Sequence, residues 1–149
     1  MSLAGQSTVH TAPEARGSGY GEHLLVWSWR RIVTGKIHCP VMEKEFADAC
    51  GEDAGAVFLL LCSFLKALAA ASRRPLTIRA PDPFSVTSDE RQILTLLAAA
   101  QAADDALLQA HLRWLAHPAR RHELERTARA LADAFATNNL PLTLPHAGR

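Results

Sequence analysis

The side chains able to act as nucleophiles, acids, bases or metal ligands are few in this chain, and they are scattered. His38 and Cys39 are adjacent, Cys50 follows eleven positions later and Cys62 twelve beyond that. Structural zinc sites draw on close ligand pairs, two to four residues apart. The sequence has no Cys-x-x-Cys and no His-Glu-x-x-His. His117, His122 and Glu125 could meet at the start of one helix, but they lack any recognised ligand spacing. The sequence therefore predicts no metal and no cofactor. A Cys–His dyad from His38 and Cys39 is also disfavoured, because neighbouring side chains diverge. There is no Gly-x-Ser-x-Gly elbow and no phosphate-cradling glycine loop. His111 has Leu107 and Trp114 at helical spacing, which predicts a histidine held in the core by a backbone carbonyl. His111 and Cys39 are the candidate residues for a pocket.

One arrangement could bind an anion. Arg73, Arg74 and Arg79 precede the hydroxyls of Ser85, Thr87 and Ser88, which lead into a helix start. Arginines beside a helix N-terminus make an anion site. The plainer expectation is that Arg73 and Arg74 complement the negative end of the preceding helix while Thr87 caps the next one.

Helices must position all of these groups. The chain has 149 residues, 48% hydrophobic and only 6% aromatic, with alanine and leucine supplying much of the apolar mass. Both residues favour helix. The fold expected is all-α: a single-domain bundle, orthogonal or up-down, of five or six helices. The segment 54–71 (AGAVFLLLCSFLKALAAA) is apolar nearly all the way round. Such a helix must be wrapped by protein or by lipid. Lys66 inside it argues against a membrane span, so residues 54–72 are expected to form the buried centre of the bundle.

Around that centre, residues 1–21 read as a flexible tail, 22–137 as the bundle and 138–149 as a strap or tail. A first helix over 22–34 ends at Gly35. A second, 40–50, has Pro40 in its first turn and a stripe of Met42, Phe46, Ala49 and Cys50. Three prolines make 75–86 an extended connection, with a short strand at 76–79. Thr87-Ser88-Asp89-Glu90 reads as a capping box, opening a helix that turns Ile93, Leu94, Leu97 and Ala100 inward. A fifth helix buries Leu107, Leu108, Leu112 and Leu115. A sixth, 119–136, buries Leu124, Ala128, Leu131 and Phe135.

Net charge is +1, close to balanced in both halves, so charge forces neither a nucleic-acid nor a membrane partner. An odd number of cysteines and no signal-peptide pattern predict reduced thiols in the cytoplasm. Trp27 and Trp29 lie about 200° apart on a helical wheel. One of them must leave the core face, which makes Trp27, Trp29 and Arg30 the expected contact residues of a homodimer.

Residues 86–98 (VTSDERQILTLLA) resemble the opening helix of the helix-turn-helix domain in LuxR-type response regulators. That resemblance implies DNA binding by the fourth to sixth helices, with residues 107–115 as the reading helix. Ala100 stands where the family has its turn glycine, and 107–115 carries Arg113 as its one positive charge. The whole chain is similar to a family of short all-helical bacterial proteins of unknown function, on the strength of Ser72-Arg73-Arg74-Pro75, the Thr87–Glu90 cap and the Ala/Leu run after it. That similarity implies a fold class and no activity. The expected function is a small non-catalytic binding or scaffolding protein, self-associating or joined to another protein. DNA regulation is the alternative, and a metal protein or enzyme the third reading.

Overall fold

A computed structural model describes residues 19–36, 39–78 and 85–144. The chain is an all-α bundle. Among the described residues there are six α-helices: α1 (Tyr20–Val33), α2 (Pro40–Cys50), α3 (Ala54–Ala71), α4 (Ser88–Ala102), α5 (Asp105–Leu115) and α6 (Arg121–Thr137). Two one-turn 3-10 segments, Gly51–Asp53 and Pro118–Arg120, lead into α3 and α6.

The terminators act largely as their chemistry dictates. Gly35, at φ 90°, follows α1 and closes a Schellman motif, with Lys36 N donating to Arg31 O and Gly35 N to Ile32 O. Pro40 sits at the start of α2, where its missing N–H costs little. Gly51, at φ 56°, turns the chain so that α2 packs back on α3, and Phe46 meets Phe58 edge-on at 5.6 Å. The capping box forms: Glu90 N donates to Thr87 Oγ1, and Thr87 N to the Glu90 carboxylate, both at 3.0 Å. No strand forms at 76–78; prolines and the pull of Asp89 on Thr77 hold this stretch extended without a strand partner. Among the described residues the one β-type contact is an isolated antiparallel bridge, Ser72 with Ala116, which ties the end of α3 to the end of α5.

The stripes read on α2 and α6 are the buried ones. The central segment differs. α3 buries one face only, through Val57, Leu61, Phe64, Leu68 and Ala71, against α6, α2 and α1. Leu59 stands 67% exposed. The helix enclosed by protein is instead α4, in which every residue from 95 to 100 is buried between α5 and α6. Alanines at 98, 99 and 100 explain this, because small side chains let neighbours close in on all sides. By composition and length the run Pro40–Ala71 could cross a membrane, and only 33% of its most apolar window is buried.

The N-terminal boundary also moves. Tyr20 and Gly21 belong to α1 rather than to a tail, and a Cβ on Gly21 would lie 2.9 Å from Pro141 O. Residues 140–144 form a strap. Leu140 and Leu142 are buried, Leu142 N donates to Gln101 Oε1 at 2.7 Å, and Thr143 N donates to Glu22 at 2.6 Å.

Candidate functional site

The ends of α3 and α5 converge through the Ser72–Ala116 bridge, with Arg73 N on Leu115 O and His117 N on Ala71 O. Two helix C-termini at one place leave several carbonyls needing donors. Arginines answer that need: Arg73 Nε donates to Arg113 O and Arg121 Nε to Ala116 O. Beside this junction lies an open groove of about 550 Å³ lined by Arg73, Arg74, Leu76, Arg113, Trp114 and Leu115. A second groove of about 500 Å³ shares Arg73, Arg74 and Leu76 and runs on to Val33, Leu65 and Ile78. Trp114 is 65% exposed. The sequence reading placed it beside His111 on the core face. The wheel held the signal, since position 114 lies about 130° from the Leu108, Leu112 and Leu115 stripe.

Among the described residues the predicted anion site does not assemble. Arg74 forks onto Asp89, at 2.5 and 3.1 Å, and Asp89 also accepts from Thr77 N at 2.7 Å. The Arg74 hydrogen bond is the main cause holding the Asp89 carboxyl below its ordinary range, and it outweighs the opposing effect of burial. Thr87 Oγ1 donates to Thr77 O and accepts from Glu90 N, so the hydroxyl is committed to the cap. Ser88 is exposed on the first turn of α4. Two carboxylates, Asp89 and Glu90, already occupy this helix start. Arg79 lies outside the described residues.

The expected dimer residues are mostly internal. Trp29 and Arg30 are buried, and both grip Glu90: Trp29 Nε1 at 3.1 Å, Arg30 Nε at 2.9 Å and Arg30 Nη2 at 2.8 Å. They cannot serve as surface contacts in this fold. Trp27 is half-buried under the Arg31 guanidinium, 5.5 Å from its ring centre. Burial alone would push the Glu90 carboxyl up. The Arg30 bonds, the Thr87 amide, the Trp29 indole and the Arg30 charge overcome this and bring it to about 2. Sequence reasoning missed Glu90 as an interior hub because a capping-box glutamate is ordinarily at the surface.

His111 Nδ1 lies 3.2 Å from Leu107 O, as a helix-bound histidine would. Cys39 is buried at the start of α2 and accepts from Arg31 Nη2 at 3.2 Å. Its burial raises the thiol pKa, but hydrogen bonds from the Met42 amide and Arg31 bring it below the ordinary value. His111 and Cys39 line neither groove and share no site. Among the described residues no three of His, Cys, Asp and Glu gather in a metal-binding group.

The helix-turn-helix likeness fares as follows. The left-handed residue after α4 is Ala103, at φ 59°, and Ala100 is helical. The outer face of α5 shows Asp105, Ala106, Ala110, Arg113 and Trp114. Asp105 is paired with Arg129 at 2.7 Å. Such a face has little to offer base edges or phosphates.

The outer face of α3 leaves apolar surface uncovered. Gly55, Ala56, Leu59, Ser63, Lys66 and Ala70 are exposed, flanked by half-buried Phe58, Leu60 and Cys62. Compared with protein-family models, characterised proteins and solved structures, the chain matches none.

Proposed function

We propose that this chain is a small non-catalytic binding or scaffolding protein that self-associates, working in the cytoplasm without a cofactor. The observation that carries this reading is the outer face of α3, where Leu59 is 67% exposed on a helix apolar enough to demand a partner. The buried ionisable groups support it too. Arg30, Glu90 and Asp89 are tied to one another or to backbone, which leaves them structural duties. Self-association moves from α1, where Trp29 and Arg30 are internal, to α3. Sedimentation velocity on the full chain tests this reading. A mass of two chains at tens of micromolar supports it, and a single chain at that concentration refutes it.

The Trp114 groove favours a second reading, a phosphorylated aromatic partner that stacks its ring on the indole while Arg73 and Arg113 meet its phosphate. Titration with a phosphorylated nucleoside, read by Trp114 fluorescence, tests it. No change at millimolar ligand rejects it. DNA binding by α4 to α6 has less support, because the outer face of α5 carries one arginine and a paired aspartate.

A further inference from the structure

We infer that the partner of the α3 face is the α3 of a second copy, packed antiparallel about a two-fold axis at Leu59. The inference rests on the self-association reading and adds the face, the direction and the register. Two exposed pairs flank Leu59 symmetrically, one within α3 and one reaching from the 3-10 turn before it. Four residues before it is Gly55 and four after it is Ser63; seven before is Glu52 and seven after is Lys66. All are exposed, and at ~100° per residue they fall within roughly 100° of arc. A C2 interface requires self-complementarity, with residue i meeting j and j meeting i. Antiparallel pairing about Leu59 supplies it: Leu59 on Leu59, Gly55 opposite Ser63, and each Lys66 opposite the partner's Glu52.

Charge fixes the choice of occupant. Lys66 is the one charged side chain within α3, and the acidic pair Glu52-Asp53 lies just before its N-terminus. Among the described residues neither Lys66 nor Glu52 has an ion-pair partner. A parallel pairing would set Lys66 against Lys66, and a zwitterionic lipid surface has no net charge to attract it. Only the antiparallel register matches opposite charges twice per dimer. Small side chains at 55, 56 and 63 let the axes approach to about 8 Å. The shared strip, from Glu52 to Lys66, is about 21 Å long and 10 Å wide. That is below the roughly 800 Å² per partner of a standard interface, so the dimer is reversible.

The test uses the full chain in sedimentation velocity at about 50 µM, where a micromolar dimer is populated. The wild-type chain runs as a dimer. Leu59→Lys, which sets two charges together on the axis, runs as a monomer with unchanged helical circular dichroism, since Leu59 makes little contact within its own chain. Lys66→Glu weakens the dimer about tenfold by facing acid with acid, and adding Glu52→Lys to it restores association. Wild-type dimers that survive Leu59→Lys, or a double variant that fails to recover, overturn the register while leaving self-association standing. A monomeric wild-type chain overturns both. So does a chain that stays monomeric and floats with phosphatidylcholine vesicles, which would assign the face to lipid.

Discussion

Glu90→Gln should remove much of the stability of this protein. The Glu90 side chain is wholly buried and, among the described residues, accepts N–H groups from Arg30 (two), Trp29 (one) and the Thr87 backbone (one). Glutamine keeps the size, offers one acceptor oxygen in place of two, and turns an NH2 group towards donors. It also removes the carboxylate charge that faces Arg30, whose side chain is 4% exposed. Removing one member of a buried pair costs about 3–5 kcal/mol, against a total stability of roughly 5–15 kcal/mol for a domain. Urea unfolding followed by circular dichroism at pH 7 measures the loss. Replacing both partners, Arg30→Met with Glu90→Leu, should cost about 2 kcal/mol less than the sum of the two single changes, because the Arg30–Glu90 attraction is then lost once rather than counted twice. The same side chain sets an acid limit. Its carboxyl titrates near 4.5 when unperturbed and at about 2 in the folded protein. The unfolded chain thus takes up the proton first as pH falls. Stability is complete above pH 4.5 and is lost between 4.5 and 2, by about 3 kcal/mol at ~1.4 kcal/mol per pH unit. Glu90→Gln should lack that portion of the acid sensitivity and retain the smaller portion due to Asp89, which is lowered in the same direction. A Glu90→Gln loss under about 1 kcal/mol, or strictly additive single changes, would refute the reasoning.

Three further outcomes follow from backbone and exposure. Ala103→Gly should stabilise by about 0.5–1 kcal/mol in the same urea assay, since Ala103 holds a left-handed φ of 59° after α4 that glycine adopts without strain. Gly21→Ala should destabilise by roughly 1–3 kcal/mol, and expose the strap to proteolysis near Leu142, because its methyl would press on the Pro141 carbonyl oxygen. Trp114→Phe should leave stability within about 0.5 kcal/mol and remove most of the iodide-quenchable tryptophan emission, since Trp29 is sealed and Trp27 half-covered.

Local order was legible in the sequence because local rules set it. The Thr87-to-Glu90 box, the Gly35 stop, Pro40 at a first turn, and the buried stripes of α2 and α6 each depend on residues within a turn or two of one another. Periodicity also fixed the all-α class. The errors came where distant segments compete for the same neighbours. Ala54–Ala71 is the most apolar run, yet hydrophobicity states only how strongly a helix seeks cover and not how many sides receive it. The alanine-rich end of α4 won the enclosed position because its small side chains let α5 and α6 close around it.

The surface residues show the same division. The sequence by itself determined that one of Trp27 and Trp29 leaves the core face, that Glu90 caps a helix, and that Arg73 and Arg74 sit at a helix end. Only tertiary structure decided that Trp29 and Arg30 reach across to that same Glu90, from sixty and sixty-one positions away, and so lie inside. It also decided that Arg74 goes to Asp89, and that Trp114 stands open beside Arg73. Hydrogen-bond partners far apart in the chain are selected by how the helices pack, and helical periodicity carries no information about that choice.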